Sequence, residues 1–528
     1  MPHTHGSQSA GPPSAAAPGR TPHRSGWRPP RAGTVSQAGR HDHATHATHT
    51  AARSRARRSR SIVPAVPQTE TPGLRGLLQR TGLLYPIRRT ATFYPARLAI
   101  AVFATIIAAV TVLLSLPLST ASGQGAPLVD ALFTATSAVC VTGLTTVETA
   151  TYWSLFGQTV IILGAAVGGL GIMTLTSLMS LMVSRHLGLT QRILAASETK
   201  SRLGDVVALL RAALFTAVSC ELVLAAVMLP RFLSQGTSPG QSLWYALFMA
   251  MSIFNNAGFV ILPEGLAPYA SDWWMGMPIV LGTAMGAIGF PVILDILRNR
   301  RRPRAWSLHT KLTLTTYGVL TVVSSVAIAA FEWGNPDTYG ALPTGGKILS
   351  ALINGVNARS SGLSTIDTEH MGEATWFLQD ALMFVGGGFA STAGGIKVTT
   401  LAVLVLAIVA EARGDQDIEA FGRRISPSTV RLSVAVAFVG ASIVGTATLL
   451  LIQITHLSLD RVLFEVISAF ATVGLSTGIT PLLPSSAKYV MVVLMFVGRV
   501  GTITAVSALA LRQRRRVIRM PEALPLIG

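Results

Sequence analysis

Four stretches decide how this chain folds: LVDALFTATSAVCVTGL (128–144), LWYALFMAMSIFNNAGF (243–259), KILSALINGVNARSSGL (347–363) and LFEVISAFATVGL (463–475). Each is a short apolar segment of helical character that runs into a polar turn containing glycine. Aligned on Gly143, Gly258, Gly362 and Gly474, they place Phe133, Phe248, Leu352 and Phe464 ten residues earlier. Six residues earlier stand Ser137, Ser252, Val356 and Ser468, and one residue later Leu144, Phe259, Leu363 and Leu475. The glycines lie 115, 104 and 112 residues apart. One unit is therefore repeated four times, and four turns in one register are more than the general abundance of glycine in membrane helices produces.

Working outward, each short segment lies between long apolar stretches. Leu98–Leu118 is 21 residues without a charge, enough to cross a hydrocarbon core of about 30 Å. Similar stretches follow at Thr159–Val183, Ala212–Leu229, Trp274–Leu294, Leu312–Ala330, Ala381–Ala410, Leu432–Ile454 and Tyr489–Leu511. Eight spans are expected, with only Glu221, Lys397 and Arg499 placing a charge inside them. Basic residues gather after every second span: five in 185–211, six in 298–311, four in 413–431 and five in 512–519. The positive-inside rule then predicts cytoplasmic termini and puts the four short segments on the outer side.

The short segments are too brief to cross. Irregular backbone survives at membrane depth only where it is buried in protein or lines water. Four such segments predict re-entrant loops around a common axis. A ring of backbone carbonyls there can replace the hydration shell of a monovalent cation, and the C-terminal ends of the short helices favour positive charge. The fold class expected is an all-α polytopic membrane protein, with four span–pore-helix–span repeats in pseudo-fourfold array around an ion pore. The repeats are 91–204, 205–304, 305–424 and 425–528, the last ending in a short basic tail.

The turns themselves, Cys-Val-Thr-Gly-Leu (140–144), Asn-Asn-Ala-Gly-Phe (255–259), Arg-Ser-Ser-Gly-Leu (359–363) and Thr-Val-Gly-Leu-Ser (472–476), resemble the filter loops of the Trk/Ktr/HKT superfamily of potassium transporters. Ser-Thr-Ala-Gly-Gly-Ile-Lys (391–397) is a further match, Gly498-Arg499 also fits, and the likeness covers about 90–520. With eight spans the chain looks most like the Ktr-type membrane subunit. The resemblance implies K⁺ conduction through a selectivity filter of Val141, Thr142, Gly143, Asn256, Ala257, Gly258, Ser360, Ser361, Gly362, Thr472, Val473 and Gly474, whose carbonyls hold the ion. Gly143, where sodium-preferring plant members carry serine, favours K⁺. It also implies a homodimer working with a separate cytoplasmic nucleotide-binding regulatory subunit. This chain has no glycine-rich dinucleotide fingerprint of its own, and no cofactor is expected in it beyond K⁺ as the transported ion.

The sixth span holds five glycines in the ten residues 386–395, each costing a helix about 1 kcal/mol relative to alanine. A break is expected there, and the resemblance makes it a gate comprising Gly386, Gly387, Gly388, Ser391, Thr392, Gly394, Gly395, Lys397 and Arg499. The chain departs from the family's Gly-Gly-Ser-Pro-Gly at Gly388, Phe389 and Ala390. Arg499 is expected to face the pore or pair structurally. Lys397 is expected to tether the loop through carbonyls or Asp295. Arg359 should brace the third turn from behind, Glu221 should be a buried hydrogen-bonding group, Asn255 and Asn256 should hold the second turn, and Cys140 should pack behind the filter.

Composition agrees. Of 528 residues, 50% are hydrophobic and 12% charged, against about 25% charge in soluble domains. The two cysteines cannot make a disulfide scaffold. The net charge of +19 is concentrated: residues 1–98 carry 15 Lys/Arg and 2 Asp/Glu. Residues 1–90 are read as a basic, disordered cytoplasmic tail. It holds seven of the eleven histidines, a flexible polar tract rather than a metal site, and no signal peptide precedes the spans. The tail's Arg53–Arg60 run suits anionic lipid or RNA, but the preferred reading is that it holds the tail in the cytoplasm; with the charge confined to the tail, no nucleic acid partner is expected, and the partner of the body is the lipid bilayer. The function expected is K⁺ uptake across the plasma membrane. The alternatives are an Na⁺-selective or Na⁺-coupled carrier and, at a distance, a polytopic membrane enzyme, which the scattered outer acids and isolated His309 and His456 do not support.

Overall fold

Long apolar runs become helices because nothing in a bilayer competes for their backbone hydrogen bonds. The computed structural model describes residues 95–185 and 205–501, all within one compact unit, Pro72–Gly528. The basic tail, most of the 185–211 basic cluster and the 512–519 cluster lie outside the described residues.

The elements are α1 (Pro95–Leu114), α2 (Leu128–Val139), α3 (Leu155–Arg185), α4 (Asp205–Ser234), α5 (Pro239–Asn255), α6 (Trp273–Ile288), α7 (Phe290–Arg298), α8 (Leu308–Glu332), α9 (Thr344–Asn357), α10 (Glu373–Phe384), α11 (Val398–Arg413), α12 (Pro427–Thr455), α13 (Leu459–Ala471) and α14 (Ser485–Phe496). A wide helical turn, Val497–Gly501, continues α14. Among the described residues, extended pairing is confined to a two-residue antiparallel ladder, Glu419–Ala420 with Arg423–Arg424, and to isolated bridges between Thr120 and Trp153 and between Val385 and Ile396. Helix starts follow capping chemistry: Ser238, Asp272, Ser307 and Ser426 each accept a backbone N–H from the first turn of α5, α6, α8 and α12.

Among the described residues five helices are long and apolar enough to cross a membrane: α1, α3, α4, α8 and α12. Of the other three expected spans, two are not single helices. Trp274–Leu294 is α6 and α7, bent by 95° at Gly289. The cause is local: Gly289 has φ 97°, and Pro291 sits in the first turn of α7, where its missing N–H costs nothing. Ala381–Ala410 is α10 and α11 separated by residues 385–397. The expected span Tyr489–Leu511 is described only to Gly501.

The packing is cyclic. Each short helix lies against the span before it: α2 on α1, α5 on α4, α9 on α8 and α13 on α12. Each then touches the outgoing helix of the preceding unit: α3 on α5, α6 on α9, α10 on α13, and α14 back on α2. The last contact carries an ion pair, Lys488 Nζ to Asp130 Oδ1 at 2.9 Å, with both side chains largely buried. Phe133, Phe248 and Phe464 are fully buried in the resulting core. The outer faces are apolar but uncovered: Phe215 on α4, Val326 on α8 and Phe438 on α12 are 75%, 64% and 73% exposed. A soluble domain does not leave such faces to water; lipid covers them.

Candidate functional site: four glycine turns and the broken span beneath them

Each short helix ends in a turn fastened to the helix itself. The N–H of Thr142 donates to Ser137 O (2.7 Å), that of Ala257 to Ser252 O (2.8 Å) and that of Val473 to Ser468 O (2.9 Å). The serine hydroxyls hold the next residues: Gly143 N donates to Ser137 Oγ (3.0 Å), Gly474 N to Ser468 Oγ (3.1 Å), and Ser252 Oγ donates to Phe259 O (2.7 Å). Val141, Asn256 and Thr472 take left-handed backbone angles in these turns, each a cost of about 1–3 kcal/mol that the surrounding bonds must offset.

The third turn corrects the sequence alignment. Gly362 N donates to Asn357 O (3.4 Å), Asn357 Nδ2 donates to Leu363 O (2.7 Å), and the left-handed residue is Ser361. Asn357, not Val356, therefore plays the part of Ser137, and fully buried Ile353, not Leu352, that of Phe133. The path from anchor to glycine is one residue shorter here, and Asn357 holds the carbonyl of the residue after the glycine, as Ser252 does in the second turn.

The four turns converge in a closed circuit. A Cβ on Gly143 would lie 2.7 Å from Ala257 O and 2.9 Å from Gly258 Cα. One on Gly258 would strike Ser361 O, one on Gly362 would come within 2.5 Å of Val473 O, and one on Gly474 would strike Thr142 O. All four glycines have positive φ, from 59° to 99°. Glycine is thus required twice over, by backbone angle and by the approach of the next turn.

A second set of glycines, which periodicity alone did not disclose, seats the outgoing helices. Cβ atoms on Gly168, Gly286 and Gly498 would collide with Val139 O, Phe254 O and Phe470 O respectively. Each of those carbonyls is four residues before its turn glycine. The available signal was the 24–28-residue spacing from turn glycine to seat glycine.

Residues 385–397 form a loop with a closed neck and a docked tip. The neck is a bridge between Val385 and Ile396, with Gly386 N donating to Ile396 O (2.8 Å) and Ile396 N to Phe384 O (3.2 Å). The tip rests on the α6–α7 bend: Gly388 N donates to Ala287 O (2.7 Å), Thr392 N to Gly286 O (3.2 Å), and Phe290 N to Ala390 O (3.3 Å). Asn256 Nδ2 donates to Thr392 Oγ1 (2.6 Å), and Arg499 Nη1 donates to Thr392 O. Gly394 packs against Thr472 Oγ1 and Ala471 O, and Ser391 Oγ donates to Gly388 O (2.7 Å). The Phe389 ring stands edge-on to His309, 6.1 Å between centroids. No Cβ fits at Gly386, Gly387 or Gly388 without displacing backbone or Ala393.

The charged groups fall as follows. Lys397 Nζ donates to Ala393 O (2.6 Å), whereas the carboxylate of Asp295 is taken by Asn299, Ser307 and Thr310. Arg359 is fully buried, donates to Tyr317 O (3.0 Å) and Thr321 Oγ1, and stacks 3.9 Å from the Tyr317 ring centre, on the side of the turn facing α8. Arg499 is 2% exposed. Glu221 accepts from Asn255 Nδ2 (2.7 Å). Cys140 is buried at the end of α2. Glu465, which the sequence did not single out, is buried in α13 and accepts from Ser476 Oγ (2.5 Å), Thr477 N (3.0 Å) and Thr480 Oγ1 (2.7 Å), fixing the chain beyond the fourth turn. Among the described residues no group of three or more His, Cys, Asp or Glu could hold a metal ion.

Spanning helices with uncovered apolar faces, wrapped around buried polar turns, define a multi-pass membrane transport protein. The particular family follows from the sequence as a whole: the profile of TrkH, described as a cation transport protein, matches residues 80–515, and this chain belongs to that family. It is 37% identical over 432 residues to Ktr system potassium uptake protein B of Bacillus subtilis, covering 81% of this chain and 95% of that protein. It is 33% identical over 413 residues to the potassium/sodium uptake protein NtpJ of Enterococcus hirae, covering 76% and 90%. The crystal structure of the potassium transporter TrkH from Vibrio parahaemolyticus has the same fold, with TM-score 0.63 at 17% identity, over 78% of this chain and 83% of that one. The family and these relatives are transport proteins, which sets the enzyme alternative aside.

Proposed function

We propose that this chain is the K⁺-conducting membrane subunit of a Ktr-type uptake system, built as four quasi-equivalent repeats around one ion path. The observation that supports this most directly is the closed circuit of Gly143, Gly258, Gly362 and Gly474, each turn packed on the backbone of the next. Peptide oxygens of residues 141–143, 256–258, 360–362 and 472–474 line the path and stand in for the water around the ion. The C-terminal ends of α2, α5, α9 and α13 lie beside it and stabilise positive charge. The 385–397 loop, held by Lys397 and Arg499, lies beneath the turns and obstructs the path until regulation moves it. The protein acts as a homodimer in the plasma membrane with cytoplasmic termini, under control of a separate nucleotide-binding subunit, as the likeness to the Ktr protein supports.

A second reading, sodium coupling, draws on the potassium/sodium name of the Enterococcus relative. Flux of K⁺ and Na⁺ into liposomes holding the purified chain, with and without a candidate regulatory subunit, separates the two. Uniport predicts K⁺ flux that Na⁺ fails to compete and that persists without an Na⁺ gradient. Equal competition by Na⁺ sinks the K⁺ filter; dependence on the Na⁺ gradient replaces uniport with coupling.

A further inference from the structure

Among the four left-handed or adjacent turn residues, Asn256 differs from Val141, Ser361 and Thr472 in where its side chain goes. Its backbone belongs to the second turn, two residues before Gly258, with φ 57° and its N–H donating to Ile253 O (3.1 Å). Its side chain donates from Nδ2 to Thr392 Oγ1 at 2.6 Å, 136 residues away in the docked tip of the broken span, and keeps a longer 3.4 Å contact to Phe254 O, to which Thr392 Oγ1 also donates (3.4 Å). Both residues are 1% exposed. The hydroxyls of Ser361 and Thr472 have no hydrogen-bond partner among the described residues, and Val141 has none to offer. The junction is sterically prepared: a Cβ on Gly286 would lie 2.5 Å from Asn256 Nδ2 and 2.9 Å from Thr392 Oγ1. It is also anchored on both sides. Asn255 is tied to Glu221 (2.7 Å) and to Met251 O (3.0 Å), while Thr392 donates its N–H to Gly286 O and accepts Arg499 at its carbonyl.

We infer that Asn256 is a positioning residue that couples ion discrimination at the glycine turns to the position of the 385–397 loop through its hydrogen bond to Thr392. The inference rests on the filter and gate reading above. The physics is reciprocal. Asn is among the few non-glycine residues that tolerate left-handed angles, so the second turn holds its shape while its side chain has a buried partner. When the tip leaves, Nδ2 loses its short acceptor and keeps only the 3.4 Å contact to Phe254 O, so the side chain resettles on its own turn and shifts the backbone of residues 256–258 with it. A turn held in its conducting shape by an ion must, by linkage, favour one loop position by the same factor.

The test uses the full-length protein in liposomes, reading K⁺ flux and the K⁺/Na⁺ ratio for Thr392→Val, Asn256→Ala and the double variant. Thr392→Val, outside the turns, is expected to lower the K⁺/Na⁺ ratio, and Asn256→Ala, outside the loop, to raise unregulated flux, each by about fivefold, the low end of ordinary site-to-site coupling. The double variant should match the larger single effect rather than their product, and Thr392→Ser, which keeps the hydroxyl, should restore the ratio. Multiplying effects, or a Thr392→Val protein with altered flux and an unchanged ratio, overturn the coupling. Should Asn256→Ala fail to assemble, the ratio of Thr392→Val alone decides. If Gly143→Ser and deletion of Gly386–Gly388 also leave ratio and flux unaltered, the underlying reading fails; if those act and the Asn256 and Thr392 variants do not, only the coupling does.

Discussion

The four glycine turns and the loop of the broken span are both glycine-rich, buried and irregular, yet they are held in opposite ways. Each turn is fastened to its own short helix by a backbone bond and a Ser or Asn side chain within seven residues. The loop keeps a local neck, but its tip is bonded to α6, α7, Asn256 and Arg499, all distant in sequence. The backbone bonds to one's own helix are not lost without unwinding its last turn. Bonds to other elements can be exchanged while the neck stays closed. The contrast teaches that glycine content alone does not mark mobility; the addresses of the hydrogen bonds do.

The sharpest way to break that contrast is at the turns. Gly474→Ala forces a Cβ onto Thr142 O at φ 99°; with about 1–3 kcal/mol for the backbone angle alone, K⁺ uptake in a K⁺-uptake-deficient host should fall more than tenfold. Gly143→Ser, with its Cβ 2.7 Å from Ala257 O, should erode K⁺ over Na⁺ preference in uptake competition. Unchanged growth and unchanged competition would remove the turns from the ion path. Deleting Gly386–Gly388 should do the reverse, raising flux without the regulator while thermal stability in detergent changes little. A deletion that merely lowers expression and flux would make the loop a structural kink.

Smaller changes sharpen the comparison. Asn357→Ala should cost about 1 kcal/mol of stability, the net worth of one hydrogen bond, and erode K⁺ over Na⁺ preference, whereas Val356→Ala, in the core, should lower stability and leave the preference alone; a changed preference in Val356→Ala with none in Asn357→Ala would restore the original alignment. Phe389→Ala removes the ring against His309 and should raise basal flux only a few-fold. Smallest of all, removing residues 1–72 should leave transport intact, and loss of transport would give the tail a role in conduction.

Much of this was legible in the sequence because it is written in local patterns. Five helices fall where long apolar runs predicted them, and the four turn glycines announce themselves by register. The interruption after Phe384 followed from glycine density. What escaped depends on contacts between distant residues. The one-residue slip of the third turn is invisible when the glycine is the anchor, since only the buried partners of Ile353 and Asn357 reveal it. The 95° bend at Gly289 had a signal, Pro291 opening a new helix, but mean hydropathy runs straight through it. The seats at Gly168 and Gly286 carry no periodicity, because they answer to carbonyls of another helix.

The pair between Asp130 and Lys488 joins residues 358 positions apart. Nearly the whole polypeptide must leave the ribosome before the barrel of helices can shut, so the opening quarter waits in the bilayer with one flank unclosed. Translation that stops short of the final quarter should therefore yield an inserted but gaping assembly, a natural target for membrane quality-control proteases.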